Sequence, residues 1–333
     1  MVITTSLSNH TLYACKTKAE RCVLITWSSL ALTVNLVGNL VILLAIRRKA
    51  ITLDKVSVTL IQNIAVSDIL MALSTILPTL VSLIADRWVF GDTVCYIQHY
   101  LYPLVFTSAL LLICALHVSK LVCLAFPLWS IGWSKRAANC IAVVIWIIAC
   151  IIPIVQLCVD KTSVTFDYRL YRCHFVHRAP VWRWFHPLLM ACIIGIPNFI
   201  VFVTTIALLI FVHRKRGTVT VQGALTSLYI GLAYLLSFGP HAINQTIITK
   251  LYPTMNRSTQ GFFFVFYTRF AFFIPFLNGM SNFFIYMISL KSFGEFVEKL
   301  ILGPLRTKLG STRTSVRVIL SGIAEDNDAT VAQ

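Results

Sequence analysis

Seven stretches of the chain are apolar for long enough to cross a lipid bilayer, at residues 23–46, 57–82, 94–122, 138–159, 184–212, 223–249 and 263–289. A helix needs about 20 such residues to span the hydrocarbon core. The third stretch is interrupted by His99, His117 and Lys120, and the seventh is rich in Phe and contains Pro275. Pro78, Pro103, Pro153, Pro197 and Pro240 fall inside the second to sixth stretches. In water each would break its helix. In a bundle, neighbouring helices and water re-satisfy the freed carbonyls and a kink is tolerated. The pattern predicts an all-α membrane protein, a bundle of seven transmembrane helices.

The connections are short, with no internal repeat and no low-complexity linker, so one domain is expected. Within the loop after the fourth stretch, Val164, Phe166 and Tyr168 alternate, then Tyr171, Cys173 and Phe175, a spacing that suits a β-hairpin. After the seventh stretch, Phe293, Phe296, Val297 and Leu300 stand against Glu295, Glu298 and Lys299 at helical spacing. Such a helix lies on a membrane surface. The expected organisation is an extracellular N-terminus (1–22), the bundle (23–290), an amphipathic surface helix (291–302) and a disordered cytoplasmic tail (303–333). The first apolar run begins near Val23, after Lys16, Lys18 and Arg21, and is too long for a signal-peptide core. The N-terminus is therefore expected to stay on the mature protein.

Composition agrees with the pattern. The chain is 58% hydrophobic and 12% charged, against roughly a quarter charged in soluble proteins. So few charges cannot cover a water-facing surface. The net charge of +16 could suggest nucleic acid, but the basic residues sit in the gaps between apolar runs and form no single patch, so no nucleic-acid partner is expected. Sixteen basic residues lie on one side of the seven crossings and twelve on the other, and the excess leans toward an outside N-terminus. The glycosylation triplets at Asn9 and Asn256 lean the same way, while the one at Asn244 lies close to the membrane. Four of the ten cysteines, Cys15, Cys22, Cys95 and Cys173, fall in or beside outer loops, where oxidation is possible.

The first segment has Gly38-Asn39-Leu40-Val41. The second has Asn63-Ile64-Ala65-Val66-Ser67-Asp68-Ile69-Leu70. Trp88-Val89-Phe90-Gly91 precedes Cys95, and Ala125-Phe126-Pro127-Leu128 closes the third segment. Trp146, Pro153 and Pro197 follow in order, then Ser237-Phe238-Gly239-Pro240 and Asn282-Phe283-Phe284-Ile285-Tyr286. In this order and placement, over about residues 23–301, the chain resembles the rhodopsin-like (class A) G-protein-coupled receptors, whose patterns NLAxxDLL, CWxP and NPxxY stand against the second, sixth and seventh segments.

The resemblance implies a disulfide between Cys95 and Cys173, with the pairing of Cys15, Cys22 and Cys158 left open. It implies an ion and water cluster at Asp68 with Asn39, Asn278 and Asn282. An ionisable group at mid-membrane costs about 2.5–3.5 kcal/mol and usually marks function. The family's serine in the third segment is Ala109 here, with Ser108 beside it, which weakens a sodium site at Asp68; no other cofactor is expected. Phe238, Pro240, Tyr234 and Tyr286 stand at the family's activation-switch positions.

On the cytosolic face, Ser119, Lys120, Leu121, Lys135, Arg136, Arg214, Lys215 and Arg216 would meet a heterotrimeric G protein or anionic lipid. Ser311, Thr312, Thr314, Ser315 and Ser321 in the tail could dock an arrestin once phosphorylated. The ligand pocket is expected around Gln98, Tyr102, Arg172, His174, Asn244 and Phe276. Tyr102 stands where amine receptors place an Asp, and Phe276 where opsins place the retinal lysine. The outer loop is basic, which favours a peptide or an anionic small molecule.

Two departures open an alternative. Ser119-Lys120-Leu121 replaces DRY, and Lys lacks the bidentate fork of Arg. Phe283 replaces the NPxxY proline. A non-signalling or atypically coupled seven-helix receptor (a scavenger or partner subunit) is the competing reading. Transport would call for repeats or several intramembrane charges. An enzyme would call for a metal cluster or a nucleophile–base set, and His99, His117 and His186 are isolated in the sequence.

Overall fold

The computed structural model describes residues 18–126, 128, 133–159, 164–167, 170–175, 185, 188–214, 221–243, 256, 259 and 273–302. Among them, six helices are long and apolar enough to cross a membrane. In chain order the helices are α1 (Lys18–Arg47), α2 (Lys55–Ala85), α3 (Gly91–Ala125), α4 (Lys135–Val159), α5 (Leu188–Arg214), α6 (Val221–Ile243), α7 (Phe276–Ser289) and α8 (residues 291–302). Strands β1 (Val164–Asp167) and β2 (Arg172–Phe175) pair antiparallel between α4 and α5, with Phe166 opposite Cys173 and Asp167 opposite Arg172. The alternation read in this loop therefore does form a hairpin.

The bundle is apolar on its outside. Val143, Val144, Ile147, Ile148, Ile151 and Ile154 of α4 are exposed, as are Phe199, Phe202, Val203, Ile206, Leu209 and Ile210 of α5. In water such a belt would aggregate; in a bilayer it faces hydrocarbon. The interior, by contrast, holds Ser28, Asn35, Asn39, Ser67, Asp68, Ser108, Asn278 and Asn282. Polar side chains inside a membrane bundle tie helices together, because lipid offers them no partner. Ser67 Oγ of α2 donates to Val105 O and lies 2.9 Å from Ser108 Oγ on α3. Trp146 Nε1 of α4 donates to Asn63 Oδ1 of α2 (3.1 Å). Asn39 Nδ2 and Asn35 Nδ2 of α1 donate to Gly279 O and Phe276 O of α7. Helix α3 is central, packing on α2, α4, α5, α6 and the hairpin.

Two prolines are accommodated by π-helical turns and not by a simple kink. The turns span Ala72–Ile76 and Ala191–Gly195, immediately before Pro78 and Pro197. Leu77 N and Ile196 N reach back five residues, to Ala72 O and Ala191 O. The wider turn makes room for a ring that would otherwise strike the carbonyl four residues back.

The seventh apolar stretch differs from its expectation as one continuous helix. Residues 273–275 form a turn, and α7 starts at Phe276 with Pro275 at its cap. Pro275 has no N–H to offer a preceding turn, and its fixed φ suits a helix start. Residues 263–272, the start of that stretch, lie outside the described residues, as do residues 244–249 of the sixth stretch.

At its other end α7 meets α1 and α8. A Cβ built on Gly38 would lie 2.9 Å from Phe283 Cβ, so the α1 backbone takes Phe283 directly. Phe293 of α8 is fully buried, with ring centroids 5.9 Å from Phe283 and 6.1 Å from Tyr286. Val297 is buried beside it while Leu300 and Ile301 are exposed. Residues 291–302 thus form a helix with one face on the bundle.

Candidate functional site

The hairpin end of the bundle is pinned covalently. Cys95 of α3 and Cys173 of β2 form a disulfide with Cα atoms 5.4 Å apart and a sequence separation of 78. Closing a loop of that length contributes roughly 4 kcal/mol by the chain-entropy estimate. Gln98 reinforces the joint: its Oε1 accepts from Cys173 N (2.9 Å), while its buried Nε2 makes no hydrogen bond. Tyr171 Oη donates to Asp86 Oδ1 (3.0 Å), and Arg21 of α1 pairs with the same carboxylate (3.2 Å). Arg21 Nε also donates to Leu83 O, closing the C-terminus of α2.

Arg172, next to the disulfide, lies over the Tyr102 ring with its guanidinium carbon 4.0 Å from the centroid. That is cation–π geometry. Gln98 and Tyr102 are one helical turn apart and share a face of α3. An aromatic column runs inward from Tyr102 through Phe106 (5.9 Å) and Phe238 (5.0 Å further) to Tyr234 (4.9 Å). His241 lies 5.5 Å from Phe106. His174 points elsewhere, toward Asp167 Oδ2 at 3.7 Å. Asn244 lies outside the described residues. Asn256 is exposed and accepts from Thr259 N (2.8 Å); Asn9 lies outside the described residues.

Tyr102, Phe106, Phe238 and Phe276 wall a cavity that also reaches Asn35, Ser67, Asp68, Ala109 and Asn278. Its volume of about 20 Å³ holds one water or a small ion. Asp68 accepts from Asn282 Nδ2 (2.7 Å). Asn278 is buried with its amide unpaired, and Asn39 is engaged between Asn35 and Gly279. A sodium ion would find carboxylate and carboxamide oxygens here. It would find no hydroxyl from α3, because Ala109 lines the cavity and Ser108 Oγ is committed to Ser67 and Val105 O. The donor set is therefore short of a full shell for sodium, which takes several oxygens.

At the opposite end, Lys120 is buried and forms an ion pair with Asp54. Asp54 is the N-cap of α2: its Oδ1 accepts from Ser57 N (2.9 Å) and its Oδ2 from Ser57 Oγ (3.0 Å). Burial alone would raise the Asp54 pKa. The Lys120 charge and the hydrogen bonds from Lys120 and Ser57 outweigh it and hold the carboxyl below its ordinary value. Ser119 turns back to Leu116 O (2.8 Å), and Leu121 is half-buried. Lys135, Arg136 and Arg214 are exposed, and Lys215 and Arg216 lie outside the described residues. Tyr286 is buried at this end of α7, and Pro240 sits inside α6.

The arrangement is a helical bundle with a pinned lid at one end, an aromatic column and polar core below it, and a basic opposite end. A family model described as 7 transmembrane receptor (rhodopsin family) matches residues 38–286. The chain belongs to this family. Curated relatives are similar over shorter segments. The alpha-1A adrenergic receptor of Oryzias latipes is 30% identical over 122 residues, 36% of this chain and 26% of that protein. The neuropeptide Y receptor type 4-2 of Homo sapiens is 30% identical over 136 residues, 39% of this chain and 34% of that protein. The octopamine receptor 2 of Lymnaea stagnalis is 27% identical over 144 residues, 41% of this chain and 25% of that protein. The matches span about a quarter to a third of the curated relatives' length.

Sequence reasoning missed Asp54. The pattern Asp54-Lys55-Val56-Ser57 does carry a cap signal ahead of the second apolar stretch. Nothing local ties it to Lys120, 66 positions on. Asn35 was missed as well; it lies one helical turn before Asn39 on the same face of α1.

Proposed function

We propose that this rhodopsin-family receptor sits in the cell membrane with its N-terminus outside, binds an extracellular ligand at the hairpin end, and signals to a heterotrimeric G protein at the other. The excess of basic residues flanking the inner end supports that orientation.

The observation that carries the ligand reading is Arg172 over Tyr102, one helical turn from Gln98, whose Nε2 has no hydrogen-bond partner. A guanidinium and an N–H donor together suit a carboxylate. The rings beyond them, Phe106, Phe238 and Phe276, enclose room for only one water, so the ligand is read as engaging the outer end at Arg172 and Tyr102. We therefore read the ligand as a peptide or small molecule bearing a carboxylate. Relatives named for octopamine, for 5-hydroxytryptamine and for neuropeptide Y are among the matches. Tyr102 offers no charge to an ammonium, so the amine reading is disfavoured here. Asp68 serves as a hydrogen-bonding centre between α2 and α7, and sodium is a poor fit for its cavity.

The test is a dose–response screen of carboxylate-bearing peptides, small carboxylic acids and amines in cells carrying a promiscuous G protein. Arg172→Ala should weaken the response to an active carboxylate roughly 10- to 100-fold, the range of a lost charge-assisted hydrogen bond. Activation by amines with no effect of Arg172→Ala would overturn the ligand reading. The alternative, an atypically coupled or non-signalling receptor, draws on Lys120 and Phe283. Restoring Ser119→Asp with Lys120→Arg should raise coupling if that departure limits it; an unchanged response counts against it.

A further inference from the structure

Lys120 is buried between the start of α2 and α6. Asp54 at the N-cap of α2 neutralises it, and α6 covers it at Gly223, where an added Cβ would stand 3.3 Å from Lys120 Nζ and 3.8 Å from Leu53 Cδ2. Helix α6 brings no counter-charge of its own: residues 215–243 contain no Asp or Glu. Ser119, the residue before Lys120, is a hydroxyl directed at its own helix. Asp54 is thus the acid that the described contacts give to this buried cation, and it reaches Lys120 from α2, not from α3 or α6.

We propose that Asp54 is a positioning residue for Lys120, and that their ion pair holds the α6 end of the bundle closed without including α6. With Asp54 ionised, the ammonium stays low against the start of α2, and the backbone at Gly223 can settle over it. Without that charge the ammonium is uncompensated, at a cost that solvent at the 46%-exposed Asp54 side keeps modest. It then turns toward water through the face that Gly223 covers and displaces α6. Because α6 shares no ion pair with Lys120, it moves without breaking one. This inference concerns the resting geometry and holds whether or not the protein couples to a G protein.

The decisive comparison uses full-length protein in lipid nanodiscs, with hydrogen exchange read at the start of α6 (221–226) and of α2 (55–58). Asp54→Asn keeps a capping side chain but removes the charge. It should raise exchange at 221–226 roughly fivefold, the factor set by losing one modest ion pair. Adding Lys120→Met should return that segment to the wild-type rate, because the uncompensated cation is then gone. Asp54→Glu keeps the charge and should stay near wild type at α6, and it serves if Asp54→Asn does not fold. Two outcomes overturn the proposal: Asp54→Asn leaves 221–226 unchanged, or the double variant exchanges as fast as Asp54→Asn alone, which would make Asp54 only a helix cap. Basal G-protein recruitment measured beside it separates the claims. Exchange in the expected order leaves the positioning role standing whatever the recruitment, and a rise in basal recruitment with Asp54→Asn supports the coupling in the proposed function.

Discussion

The two ends of the bundle are built differently. At the hairpin end, a disulfide, an Arg21–Asp86–Tyr171 cluster and a β-strand laid on α3 cross-link four elements. At the basic end, the polar contacts described between elements include one ion pair and hydroxyl pairs, Lys120 with Asp54, Thr226 with Ser289 (3.1 Å) and Thr52 with Ser292 (3.1 Å), beside the packing of Phe283 and Phe293. Covalent and charge-assisted contacts fix geometry, whereas single hydroxyl contacts contribute about 1 kcal/mol each and are exchanged easily. One end is therefore a frame and the other a hinge zone, as a bundle needs if binding at one end is to change shape at the other.

The largest expected effect is on the frame. Cys173→Ser should lower stability by roughly 4 kcal/mol, seen as a fall in the thermal midpoint of purified protein, and reductant should do the same to the wild type. A small loss would remove the contrast between the ends. Next comes the α1–α7 seam. A Cβ on Gly279 would lie 2.0 Å from Asn35 Oδ1, so Gly279→Ala should cost about 1–3 kcal/mol through overpacking. Gly239→Ala is the control, since nothing lies within 4 Å of its added Cβ; its midpoint should hold or rise. At the basic end, Asp54→Ala should cost about 1 kcal/mol through the lost cap, and Asp54→Asn less, by the same measurement.

The smallest effect is pH-dependent. Asp54 titrates below its ordinary value in the folded protein, so its contribution is fully present above about pH 4, the unfolded value, and is lost as pH falls through the lowered value. Its side chain is 46% exposed, so solvent screens the pair and the change is small. The stability gap between wild type and Asp54→Asn should close on acidification below that point; a gap that persists would place the effect in the cap alone.

What the sequence disclosed follows from how local each signal is. Bilayer length is a property of consecutive residues, so the bounds of α1 to α4 were legible to within a few positions. The hairpin was legible because alternation needs only neighbours. The Cys95–Cys173 pairing was readable only through family likeness, since ten cysteines allow many pairings. The π-helical turns were not legible: a proline announces a problem, and whether a kink or a wider turn relieves it depends on packing around Ala72 and Ala191. Lys120 was singled out, but its partner Asp54 was not, because that pairing exists only once α2 and α3 are side by side. The polar core was read as one cluster on Asp68; of its three asparagines, only Asn282 bonds to Asp68, and Asn39 serves the α1–α7 seam.

Phe283 on the bare backbone of Gly38, with Phe293 stacked edge-on beneath it, welds three helices into a single wedge. Because Phe283 stands where a proline would remove a backbone N–H, α7 keeps that donor, and α8 is held to α7 beyond the extended Leu290 by Phe293 against Phe283 and Tyr286. A push on α8 therefore reaches α1 and α7 through these rings, and the three helices share one joint at that corner.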